Sequence, residues 1–147
     1  MVEEESESPR GVLAEGVSLC LWSGPRACFV SSGKWLYPLF ELEDYFAAEG
    51  VPAGDLLLAD KIVGKAAALL IVRLGIRDLR AGILSRLALP VLEAEGVRCR
   101  SESLVDRIEC MTESILETIN DPEEAYAILK QRAGRGKLDS SLGSERG

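Results

Sequence analysis

Between Leu56 and Leu74 the chain reads LLLADKIVGKAAALLIVRL, and no other stretch limits the fold so tightly. Leu56-Leu57-Leu58-Ala59 has the length and composition of a buried strand, and Asp60 carries the kind of side chain that caps free N–H groups at a helix start. The spacing therefore predicts a helix from Lys61. Ile62, Ala66, Leu69 and Leu70 fall on one face of it, while Val63, Ala67 and Ile71 fill the neighbouring faces. Such a helix is expected to be buried on most sides, at the centre of the core.

Two features of this stretch run against helix rules, and conflicts of that kind tend to coincide with function. Lys61 and Lys65 are four residues apart in the first turns, where the macrodipole already places positive charge. An anion is the natural complement. Gly64 costs about 1 kcal/mol relative to alanine inside a helix, which points to close approach of backbone or ligand. The plainer alternative is that both lysines snorkel to water and Gly64 packs against a strand.

Upstream, residues 1–10 are charged and aperiodic and read as a disordered acidic tail. Val17–Trp22 and Ala27–Val30 are strand candidates joined by Ser23-Gly24-Pro25-Arg26, a hairpin signal. From Leu36 the spacing of Leu39, Leu42, Tyr45 and Phe46 is helical, with Pro38 in the first turn, and it ends by Gly50. Downstream, Ile76–Leu84 reads as a strand that leaves Ser85 at its carboxyl end, as a helix cap or as a ligand contact. Leu87–Glu95 reads as a helix, and Val97–Ser101 as a last strand near an edge, because its arginines need water. Cys110 then lies at or near the N-terminus of a helix through Ile119, where a thiol pKa is lowered. Asp121-Pro122-Glu123-Glu124 opens another helix, expected to run to about Arg132, with 133–147 as a flexible tail. Residues 11–132 thus form one α/β domain, its first strand pair antiparallel and its later strands parallel through helical crossovers.

The 147 residues, 47% of them apolar, suit one domain with a full core. A net charge of -7 argues against extended nucleic acid as a partner, since no basic stripe is available for a run of phosphates. The longest apolar run, Ile62–Val72, is interrupted by Lys65 and is short for a bilayer, so no membrane partner is expected. The chain has no histidine, which excludes Ser-His-Asp and Cys-His catalysis and any His-containing zinc site within it. Its four cysteines form no C-x-x-C pair, and the acidic N-terminus is unlike a signal peptide, so reduced thiols and a cytoplasmic location are expected.

The order of elements, together with ADKIVGKAAALL and CMTESILETINDPEEAY, resembles a family of small uncharacterised prokaryotic proteins with a fold similar to cytidine deaminases. The resemblance spans most of Val17–Lys130. It implies a three-layer α/β domain, a mixed five-stranded sheet with helices on both faces. Deaminases place a zinc-binding His or Cys and a proton-shuttling Glu at the central helix start and Pro-Cys-x-x-Cys at a later one. Against that pattern Asp60 stands near the first ligand position and Ile62 near the general acid. Cys110 and Glu113 replace the two cysteines, and Glu109 replaces the proline. No metal is therefore assigned, and no cofactor.

If the starts of the two helices meet, as this fold implies, one pocket joins Asp60, Lys61, Gly64, Lys65, Cys110 and Glu113, with Ser85 at its border. The expected function is binding of a small anionic or nucleotide-like ligand without zinc, by Lys61, Gly64, Lys65, Ser85 and Glu113. The alternative is a thiol-dependent enzyme with Cys110 as nucleophile or redox centre, Lys61 lowering its pKa and Asp60 or Glu113 handling protons. A homo-oligomer is compatible with either.

Overall fold

The structure, a computed structural model, describes residues 9–108, 116 and 118–146, with residues 135–146 by their backbone alone. Cys110 and Glu113 lie outside the described residues. Strands β1 (Leu19–Ser23) and β2 (Arg26–Ser31) form a hairpin that turns at Gly24 and Pro25. Helix α1 (Tyr37–Glu49) leads to β3 (Leu56–Val63), α2 (Lys65–Arg73) and β4 (Asp78–Ser85). After a single 3-10 turn at Arg86–Ala88 come α3 (Leu89–Ala94), β5 (Arg98–Val105) and α4 (Pro122–Arg146).

The five strands form one mixed sheet in the order β2-β1-β3-β4-β5. β1 is antiparallel to both its neighbours, whereas β3, β4 and β5 are parallel. Parallel neighbours need crossovers, and α2 and α3 supply them. Residues of all four helices join Leu19, Leu21, Leu58 and Leu79 of the sheet in one core, so α1 to α4 share one face. On the other face a smaller cluster of Cys20, Trp22 and Ala59 is covered by Leu13 from the chain before β1. Among the described residues no helix covers that face, contrary to the expectation of helices on both sides.

The largest correction concerns the start of α2. β3 continues through Asp60 and Lys61 to Val63, and the helix begins at Lys65 with Gly64 as its N-cap. Asp60 is therefore a strand residue and caps nothing. The strand prevails because Ile62 and Val63 pair with Ile83 and Leu84 of β4 and the Lys61 N–H donates to the Ser18 carbonyl, whereas a helix from Lys61 would forfeit those bonds. Ile62 is 45% exposed, against its expected burial, while Ala66, Leu69 and Leu70 are buried as expected. α4 also exceeds its expected end at Arg132, because adding residues to an existing helix costs little compared with nucleation.

Every residue of α2 from Lys65 to Ile71 is buried. α4 packs along one side of it, and the sheet, α1 and α3 complete the enclosure. Arg73 at its last turn fastens the neighbours. It donates to Glu43 of α1 at 2.7 Å and to Glu123 of α4 at 3.1 Å, and its guanidinium lies 3.4 Å from the Tyr126 ring centre. Burial alone would raise the Glu43 carboxyl, but hydrogen bonds from Arg73 and Tyr126 and the charge of Arg73 hold it below its usual value. That pair therefore stabilises the fold above the ordinary carboxylate range and ceases to do so as pH falls through the lowered value. We predict that Arg73→Ala lowers stability by about 1–3 kcal/mol at neutral pH. The deficit should shrink in acid as Glu43 becomes protonated, as read by urea denaturation at a series of pH values.

Candidate functional site

The junction of β3 and α2 sets the geometry of the site. Asp60 is in register with Leu19 and Ala81 and lies on the helix-covered side of the sheet, 8% exposed. Its carboxyl meets the backbone N–H groups of Ile62 and Lys61. Desolvation nevertheless dominates these hydrogen bonds and pushes its pKa up to about 7.

Past Asp60 the alternation of a strand breaks. Lys61 and Ile62 are both exposed, and Val63 returns to the core. β4 follows in step: Ala81 is buried, Ile83 exposed, and Leu84 buried again beside Val63. The two strands can shift together because Gly82 has no side chain. A Cβ there would stand 2.5 Å from the Lys61 carbonyl oxygen. Glycine inside a strand is a signal of close backbone approach, and it marks this position in the sequence.

The predicted site residues are divided by the sheet. Asp60, Gly64, Lys65 and Ser85 are on the helix side or at the carboxyl ends of β3 and β4, where Val63 and Leu84 are in register. Lys65 is buried in the first turn of α2. Ser85 is fully buried, and its hydroxyl oxygen accepts from the Leu87 N–H at 3.1 Å, which makes it the cap of the 3-10 turn. Gly64 has extended backbone, φ -96°, that demands no glycine. Lys61 is on the opposite face and cannot share a pocket with Asp60.

What Lys61 does line is a cavity of about 300 Å³ on that open face. Its floor is formed by Ala59 and Lys61 of β3, Arg80 and Gly82 of β4, and Glu102 of β5, and its wall by residues 11–17. The wall is tied down at both ends. Arg10 donates to the Gly24 carbonyl and to Asp55, and the Ser18 hydroxyl donates to the Gly33 carbonyl at 2.7 Å. The Ser18 carbonyl accepts the Lys61 N–H at 2.9 Å. Gly11, at φ +89°, passes so close to Arg80 that a Cβ would lie 3.2 Å from the guanidinium carbon. Among the described residues the side chains of Lys61 and Arg80 make no ion pair or hydrogen bond. Sequence reading passed over Arg80 and residues 11–17. Arg80 was detectable as a charge interrupting an apolar strand, but the wall has no local signature.

The described thiols offer less. Cys20 is buried, Cys28 donates to the Leu21 carbonyl, and burial raises the pKa of Cys99.

The sequence profile of the family TM1506, a domain of unknown function (DUF1893), matches residues 10–133. The crystal structure of TM1506 from Thermotoga maritima, a DUF1893 family protein, is similar to this chain with a TM-score of 0.70 and 23% identity. The match covers 88% of this chain and 99% of that one. No curated protein matches.

Asp60 makes the site testable through stability. The unfolded carboxyl titrates near ~4 and the folded one at about 7, so between those values the folded state holds the extra proton. Stability from this group is complete below ~4, falls as pH rises through 7, and is then level. We predict that Asp60→Asn removes this fall, which amounts to at most ~4 kcal/mol across the window. Chemical denaturation of both proteins between acid and mildly alkaline pH provides the comparison.

Proposed function

The chain belongs to the DUF1893 family, and we propose that it binds a small anionic or nucleotide-like ligand on the open face of its sheet, using Lys61 and Arg80. One observation carries this reading. In a chain of net charge -7, two cations without a protein partner among the described residues line one cavity of about 300 Å³. Free surface cations repel one another and are screened by salt, but in a walled cavity an anion between them is held more strongly than in bulk water. The volume falls at the lower end of small-molecule sites, in the range of a phosphate-bearing metabolite. Glu102 on the same floor and Glu15 on the wall disfavour a purely anionic occupant and suit one that also offers an N–H or O–H donor.

We read the fold as a deaminase-like one adapted to binding. An antiparallel β1 beside three parallel strands, with the helix after β3 enclosed in the core, supports that reading. The absence of histidine and the Asp60 and Ile62 substitutions support a role other than zinc-dependent deamination. In this proposal the ligand lies on the face opposite the helix starts, so Gly64, Lys65 and Ser85 organise α2 and the turn after β4 without touching it.

Calorimetric titration with inorganic phosphate and with nucleoside monophosphates tests the proposal. We expect the wild type to bind at least one of these, Lys61→Ala and Arg80→Ala each to weaken binding about tenfold, and the double variant to bind none. Ser85→Ala, on the other side of the sheet, should leave the affinity unchanged. Absence of binding by the wild type, or equal binding by the Lys61 and Arg80 variants, would overturn the assignment.

A further inference from the structure

The sheet ends at β5, and its outer edge has no partner strand among the described residues. Six of its eight residues are exposed, so neither face of this strand is well covered. An open edge presents a row of free N–H and C=O groups, which soluble proteins normally shield or use. β5 also carries two exposed charges of opposite sign, Arg100 and Glu102, and neither has an ion-pair partner among the described residues. By contrast, Arg98 on the same strand is satisfied by Asp78 at 2.7 Å.

We propose that β5 is a self-association edge, at which two copies of this chain join antiparallel about a two-fold axis through Ser101 to give a continuous ten-stranded sheet. The charges select that register. Directly opposed residues of antiparallel strands face the same side, so a symmetric pairing must centre on a residue rather than between two. Centring on Arg100 sets arginine against arginine, and centring on Glu102 sets glutamate against glutamate. Centring on Ser101 places Arg100 opposite the partner's Glu102 and Glu102 opposite the partner's Arg100, two reciprocal cross-strand pairs. Both pairs lie on the open face beside the cavity, where neutralising Glu102 leaves the positive charge of Lys61 and Arg80 less opposed. The interface stands on the strand edge and its charges, independently of the ligand.

Sedimentation equilibrium of the full chain, from micromolar to millimolar concentration, provides the test. The wild type should form a dimer that weakens with salt. Arg100→Glu and Glu102→Arg should each raise the dissociation constant about tenfold or more, because each turns both pairs into repulsions. The combined variant restores opposite charges and should recover wild-type association. Both positions are exposed, and circular dichroism of each variant checks that the fold is retained. A wild type that stays monomeric, single variants that associate like the wild type, or a combined variant that fails to recover would overturn the proposal.

Discussion

A carboxyl group that the fold buries governs how β3 meets α2. Asp60 is held on the apolar side of the sheet, and its bonds to the N–H groups of Ile62 and Lys61 are local ones made by the residues that depart from the strand's alternation. Such side-chain bonding offers the backbone an alternative to the regular ladder. β4 matches the departure because Gly82 admits the Lys61 carbonyl. Val63 can then return to the core, and α2 begins two residues later in the place where sheet and helices surround it. With its pKa pushed up to about 7, Asp60 is half protonated near neutral pH, and its protonated form avoids most of the desolvation penalty.

The same junction separates the chemistry of the two faces. The helix side receives Lys65, Ser85 and the alanines of α2, all buried, and becomes packed interior. The open side receives Lys61 and Arg80, together with Glu102, under a short wall anchored by Arg10 and Ser18. Two cations without an ion-pair partner among the described residues are thereby placed where there is space, beside Glu15 and Glu102. Arg73 ties α1, α2 and α4 to one another on the helical side.

Much of the fold was legible in the residues. The hairpin at Gly24-Pro25, the helix with Pro38 in its first turn, the parallel β3 and β4 and the helix opened by Asp121-Pro122 all follow from local chemistry, and the structure contains them. The enclosure of α2 followed from apolar residues on every face. What failed was the boundary at Asp60. An acid before an apolar helical run has the signature of a cap, and the decision between cap and strand lies in β1 and β4, which are distant in sequence. That single shift moved Lys61 to the other side of the sheet. The cavity was beyond local reasoning for a similar reason, because residues 11–17 reach Arg80 only through the fold. Cys110 and Glu113 lie outside the described residues.

The central claim is that an anion is held on the open face and not at the helix starts. Backbone amide NMR during titration with inorganic phosphate or a nucleoside monophosphate tests it most directly, since it reports both faces in one experiment. The account predicts that shifts concentrate in residues 11–17, Lys61 and Arg80 to Gly82, and that Gly64, Lys65, Ser85 and Leu87 stay still. Shifts centred on Gly64, Lys65 and Ser85, or no shifts at all, would contradict it.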